Sequence, residues 1–143
     1  MPPLDRNYKF IDRVHDVQLL VSKFSGDLTS RNLTPLLEDL VQVESTHPHG
    51  FNRFSDLSEL TGVSLSIQDI HRFAAHRREQ YRGPSVKSAL YAKDPLHYGL
   101  MRIYAAVLCP SAIEAAVFYT IEEAAEWLAV PSPLLRSLST EVA

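Results

Sequence analysis

The sequence is short of most features that would name a function at once. It has one cysteine, Cys109. A single thiol makes no intramolecular disulfide, so nothing marks an oxidising compartment. No apolar run approaches the roughly 20 residues of a membrane span. The opening Met1-Pro2-Pro3-Leu4-Asp5-Arg6 lacks the basic start and apolar stretch of a signal peptide. The expectation is a cytoplasmic chain with no integral membrane segment. No Gly-rich phosphate loop occurs, nor the Gly-x-Ser-x-Gly turn of hydrolases, and no internal repeat or low-complexity segment stands out. Excess positive charge is missing too. The formal net charge is −3, which argues against a general binder of nucleic-acid backbones.

What is present reads as one folded domain. The chain has 143 residues, 45% hydrophobic and 22% charged, enough to bury a core without staples. Tyr8 to Asp12 reads as a first strand. Val17 to Phe24 reads as a second, half-buried one from the alternation of Val17, Leu19 and Val21, with His15 and Asp16 at the turn. Ser25-Gly26-Asp27 is expected to end it. The period then changes: Leu33, Leu36, Leu37, Leu40 and Val41 form the apolar stripe of a helix capped by Thr29 or Ser30. It is expected to stop before His47-Pro48-His49-Gly50.

Asn52 to Ser58 predicts a short strand with Gly62 in the loop after it. Ser66 with Asp69 has the form of a capping box, opening a helix marked by Ile67, Ile70, Phe73 and Ala74. Val86 to Ala92 predicts a strand buried on both faces. Asp94-Pro95 is a helix start, with Leu96, Leu100, Ile103 and Val107 as the buried face and Gly99 allowing close approach to the sheet. Ile113 to Tyr119 is the last strand. Thr120 and Glu123 start the last helix, with Ile121, Ala124, Ala125 and Leu128 inward and Trp127 at the edge. Pro131 and Pro133 are expected to end regular structure, leaving 131–143 as a loosely attached tail, with Leu134, Leu135 and Leu138 as the residues that would dock a short turn. The order is ββαβαβαβα: an α/β fold with a mixed five-stranded sheet, parallel after the hairpin, and four helices.

That order, with three local patterns, resembles the STAS-like (SpoIIAA-like) superfamily. The patterns are the run from Phe54 to Gly62 containing Asp56-Leu57-Ser58, the helix Tyr98-Gly99-Leu100-Met101-Arg102-Ile103-Tyr104, and the closing strand and helix from Val117 to Leu128. The resemblance covers a core of residues 8–130 within a single domain spanning 1–143. It implies a regulatory or ligand-binding module rather than an enzyme. In the family's bacterial antagonists, a serine at the start of the second helix is phosphorylated. Aligned on Asp56-Leu57-Ser58, Leu65 stands at that position here, Ser64 replaces the family's Asp and Ile67 its Gly, so the phospho-switch is not expected.

The candidate ligand- or partner-binding residues are Asp56, Ser64, Ser66, His97, Tyr98 and Arg102. Ser64 and Ser66 flank a helix N-terminus that would favour an anion, although an N-cap role accounts for Ser66 fully. His97 and Tyr98 open a helix at the sheet's carboxyl edge, where open α/β sheets bind ligands; an ordinary partly buried His explains His97 as well. Arg102 reads either as a pairing residue or as a solvent-facing stem. No histidine pair has metal spacing, and His47 and His49 read as turn residues. Arg72, Arg77, Arg78 and Arg82 read as a solvated helix face rather than an anion patch. No catalytic residue, metal or cofactor is expected. Function is bounded to a non-catalytic regulatory or protein-interaction module, with a protein partner and a homodimer expected. The alternative is a carrier or sensor for a small apolar or lipid-like molecule, which requires a pocket of roughly 300 Å³ or more.

Overall fold

The structure is a computed structural model. It describes residues 8–11 and 19–142, with side chains from 19 to 140; Asp12 to Gln18, including the expected turn at His15 and Asp16, lie outside the described residues. Five strands form one sheet in the order β1-β2-β3-β4-β5. The strands are β1 (Tyr8–Ile11), β2 (Leu19–Thr29), β3 (Asn52–Ser64), β4 (Val86–Tyr91) and β5 (Ile113–Phe118). β1 pairs antiparallel with β2, and the four strands β2 to β5 run parallel. There are five helices among the described residues, where the sequence reading expected four: α1 (Ser30–Ser45), α2 (Ile67–Gln80), α3 (Pro95–Leu108), α4 (Ile121–Leu128) and α5 (Ser132–Val142).

Strand alternation divides the core in two. Leu19, Val21, Phe54, Ala89 and Tyr91 face α4 and α5 and pack on Ala124, Ala125, Leu128, Leu135 and Leu138. The intervening residues face the other way. There Phe24, Leu28, Leu57, Leu60 and Leu90 meet Leu36 of α1 and Met101 of α3. With helices on both faces, β2 is buried along both sides from Leu19 to Ser22, not half-buried as its alternation suggested.

Local signals placed most helix starts. Thr29 caps α1, where its backbone N–H donates to Asn32 Oδ1 at 2.7 Å. Ser66 and Asp69 form the expected capping box of α2. Asp94 caps α3 with Pro95 in its first turn, and Thr120 caps α4. These side chains satisfy backbone N–H groups that the first helical turn leaves free.

Four expectations fail, each for a tertiary reason. Ser25-Gly26-Asp27 does not end β2. Register shifts between Lys23 and Ser25 and between Gly26 and Asp27 absorb it, and Gly26 supplies a left-handed φ of 71°, so the strand pairs on to Thr29 against Ser64. Gly62 therefore lies inside β3. A Cβ there would come within 3.0 Å of Asp27 Oδ1. The buried face of α3 is turned from the expected one: His97, Met101 and Leu108 are buried, Leu96 is exposed, and Gly99 is exposed with nothing within 4 Å of where a Cβ would sit, so it serves no close approach to the sheet. In α1, Val41 is exposed, as is Ile67 at the start of α2.

The last concerns the tail, which docks through the leucines named for it but as a full helix and not as a loose end or a short turn. Pro133 sits in the first turn of α5, where the missing proline N–H costs no hydrogen bond. Leu135 and Leu138 are buried against the sheet layer. Leu135→Ala should therefore cost about 2–5 kcal/mol, whereas Leu96→Ala on an exposed turn should stay within about 0.5 kcal/mol. Urea denaturation of the two variants checks this, and equal midpoints would show that α5 does not belong to the core.

Candidate functional site

The side chains with most unusual surroundings lie at the amino end of the parallel strands, below the helices α1 and α2. Glu44 ends α1, Arg53 opens β3 and Arg77 lies in the last turn of α2. Arg53 Nη1 donates to Glu44 Oε2 at 2.8 Å, Arg77 Nη2 to the same oxygen at 2.5 Å, and Arg77 Nη1 to Glu44 Oε1 at 3.0 Å. The side chains are only 6%, 1% and 12% exposed for Arg53, Arg77 and Glu44. Arg53 Nε also donates to the Phe51 carbonyl at 3.2 Å. Its guanidinium lies 4.7 Å from the centre of the Phe51 ring and 5.1 Å from that of Tyr81.

Desolvation opposes both positive charges. For Arg53 burial prevails and lowers the pKa; for Arg77 the bonds to Glu44 and the neighbouring Tyr104 outweigh burial and raise it. A guanidinium starts high enough to stay protonated in either case. Burial also raises the Tyr104 hydroxyl, keeping it neutral beside them. Two cations share one carboxylate here. Arg53 Nη2 and Arg77 Nε are buried with no hydrogen-bond partner among the described residues.

Both arginines line a cavity of about 110 Å³ between the sheet and α1, α2 and α3. Its wall is mostly apolar, including Leu36, Phe73 and Met101. Ser22, Ser55 and Ser88 from three adjacent strands lie along the sheet side, and Ser22 Oγ donates to Ser55 Oγ at 3.1 Å. The volume falls short of the roughly 300 Å³ that a lipid-like occupant requires. A surface groove of about 210 Å³ shares the Arg53 side chain as part of its wall, together with Glu44, Phe51 and Tyr81. The dent of about 700 Å³ over α5 is walled only by residues of that helix.

The residues expected from sequence do not gather in one place, and several have structural duties. The buried Asp56 carboxylate accepts from the Ser58 N–H at 2.9 Å, the Ser58 hydroxyl at 2.6 Å and the Ser139 hydroxyl of α5. Lys23, beside Asp56 in the sheet, donates to the Ser139 carbonyl at 3.2 Å. Asp56 therefore helps to dock the last helix. Ser64 donates to the Asp27 carboxylate at 2.8 Å, joining the far ends of β2 and β3, and Ser66 is the α2 cap. His97 is 6% exposed. Tyr98 stacks on Tyr119 with ring centres 3.8 Å apart. Arg102 is exposed on α3. Among the described residues no group of three His, Cys, Asp or Glu could hold a metal, and no helix is long and apolar enough to cross a membrane.

Sequence reading missed Glu44, Arg53 and Arg77, and Arg77 was placed on a solvated face. A signal was present. Arg77 follows Ile70 and Ala74 at i+7 and i+3, on the same buried stripe. Glu44 likewise continues the row of Leu37 and Leu40.

No family model matches the chain, and no curated protein matches it. Among solved structures it is similar to an uncharacterised protein of the DUF3478 family from Shewanella loihica PV-4, described as having a SpoIIAA-like fold. The two share 23% identity with a TM-score of 0.54, over 90% of this chain and 98% of the other. The chain thus has the SpoIIAA-like fold that the three sequence patterns suggested.

Two measurements test this account. Glu44→Ala strands two buried guanidiniums and should cost about 3–5 kcal/mol. Glu59→Ala breaks only the half-exposed contact with Lys23 and should cost less than about 1 kcal/mol; similar losses in urea denaturation would contradict a buried Glu44 cluster. Asp69 offers a pH test. The Ser66 backbone N–H, the Ser66 hydroxyl and Arg72 hold its pKa below 3.8. A depressed carboxylate adds stability that is full above its unfolded-state value and lost as pH falls through the folded one. Asp69→Asn should therefore flatten the acid limb of stability below about pH 4, read as thermal midpoints against pH; an unchanged limb would exclude the contribution.

Proposed function

We propose that this protein is a non-catalytic sensor module of STAS-like type that holds a small apolar molecule between its sheet and helices. The cavity walled by Leu36, Phe73, Met101 and the three serines carries the reading. An apolar cavity of 150 Å³ holds a molecule the size of benzene, so one of about 110 Å³ suits an occupant of roughly four to six heavy atoms. This narrows the lipid-like alternative to a compact ligand. Filling such a space recovers dispersion contacts that the wall otherwise lacks. Because Leu36 of α1, Phe73 of α2 and Met101 of α3 all touch it, occupancy would be felt by three helices at once.

A second observation favours a protein-interaction role. Of the four exposed large hydrophobics among the described residues, Ile67 and Leu96 open the helices that follow β3 and β4 and Tyr119 follows β5, all at the carboxyl ends of strands, at 55%, 67% and 46% exposure. A partner protein or a second copy would cover them there, beside the Tyr98–Tyr119 stack. The two readings are compatible: the cavity senses, and this edge reports.

Methyl-labelled NMR tests the cavity with n-butanol as an apolar probe. Saturable shifts are expected at Leu36, Leu90 and Met101, and Ser55→Leu, which fills the space, should abolish them. No shift in the native chain, or shifts that survive Ser55→Leu, would overturn the sensor reading. Native mass spectrometry of the same sample reports whether the chain is monomer or homodimer.

A further inference from the structure

The cavity has one property that an apolar pocket alone does not need. One end is formed by Arg53 and Arg77, whose two positive charges face the single carboxylate of Glu44. An uncompensated charge removed from water is costly, and buried charges are ordinarily paired. The two unpartnered nitrogens belong to different arginines, Nη2 of Arg53 and Nε of Arg77. The opposite wall is apolar, and the serine hydroxyls run along the sheet side between them. A neutral apolar occupant would leave the charge and both N–H donors as they are.

We propose that the ligand is a short-chain carboxylate, its anionic head between Arg53 and Arg77 and its short apolar tail against Leu36, Leu90 and Met101. The proposal rests on the cavity reading above and adds the charge of the occupant. A monoanion cancels the excess cation and gives each orphan N–H an acceptor, and charge-assisted bonds of this kind are the stronger ones. Arginine suits the task because its planar donors stay charged and match carboxylate geometry. The rings of Phe51 and Tyr81 fix the Arg53 guanidinium in place, so little side-chain freedom is lost on binding. Arg53 also borders the surface groove, so the cationic end of the cavity is the end nearest that groove. The cavity volume limits the tail: butyrate fits, whereas a long-chain fatty acid does not.

The experiment compares butyrate with butyramide, which has the same shape and no charge, by NMR titration of the intact chain, following the methyls of Leu36 and Met101 and the Nε–H signals of Arg53 and Arg77. Butyrate should bind at least about tenfold tighter than butyramide, as charge-assisted bonds predict, and should move the Arg77 Nε–H signal. Inorganic phosphate and acetate distinguish a bare anion site from one that reads the tail; both should bind more weakly than butyrate. Arg53→Lys keeps the charge beside Glu44 but loses the planar donors, and should reduce the preference for butyrate over butyramide. Should that variant fail to fold, Ser55→Leu, whose register partners are Ser22 and Leu90 and not an arginine, fills the tail site and should weaken butyrate selectively against phosphate. Equal binding of butyrate and butyramide would overturn the carboxylate assignment while leaving the cavity reading standing. Binding of neither, with no response to n-butanol, would overturn both. Phosphate binding as tightly as butyrate would show a bare anion site and overturn the assignment of the tail.

Discussion

The fold converges on Glu44. Its two carboxylate oxygens receive Arg53 from the start of β3 and Arg77 from the end of α2, so one residue ties the last turn of α1 to the next strand and to the next helix. The constraint is demanding because desolvating ions costs as much as their attraction returns unless geometry and extra hydrogen bonds are good. Here the extra bonds come from the Phe51 carbonyl and, at 3.3 Å from Arg77, from Gln80. A salt bridge of this type specifies arrangement more than it adds stability: α1 and α2 cannot slide along the sheet without stranding a charge.

The opposite face of the sheet is organised by a smaller network on the same logic. Asp56 and Lys23 are register neighbours in β3 and β2, and both reach Ser139 on α5. Apolar burial of Leu135 and Leu138 holds the helix down, and the polar ties set where along the strands it sits. Two polar residues in adjacent strands thus do for α5 what Glu44 does for α1 and α2. The sheet is pinned on both sides by polar side chains at buried positions.

That division explains what was legible beforehand. Local chemistry was readable: Ser66 with Asp69, Asp94 with Pro95 and Thr120 each satisfy free N–H groups within three residues, so tertiary context had little to override. Three patterns along the chain also pointed to the SpoIIAA-like fold. Long-range pairing was not readable. The β2 strand continues through Gly26 only because β3 runs beside it to Ser64, and the tail folds only because Leu135 finds the sheet layer. The α3 face was misjudged because apolar residues run round much of this helix, and packing on the sheet decides which are buried: Met101 joins Leu57 and Leu90 while Leu96 is left exposed. The candidate residues were chosen on related grounds. Polar types near helix starts were singled out, and helix starts consume polar groups as caps.

The site that did emerge shows why buried charge is informative where exposed charge is not. Arg72 and Arg77 belong to the same helix and look alike in sequence, yet Arg72 pairs with Asp69 at the surface while Arg77 is 1% exposed. An arginine on an apolar stripe faces two outcomes: its stem carries the charge out to water, or the protein supplies partners inside. In α2 the second holds, but the supply is incomplete, since Glu44 divides one negative charge between two guanidiniums. The remaining imbalance lies at the wall of a space that the apolar side chains leave open. Charge excess, orphan donors and cavity coincide, and a small anion with an apolar tail answers all three at once.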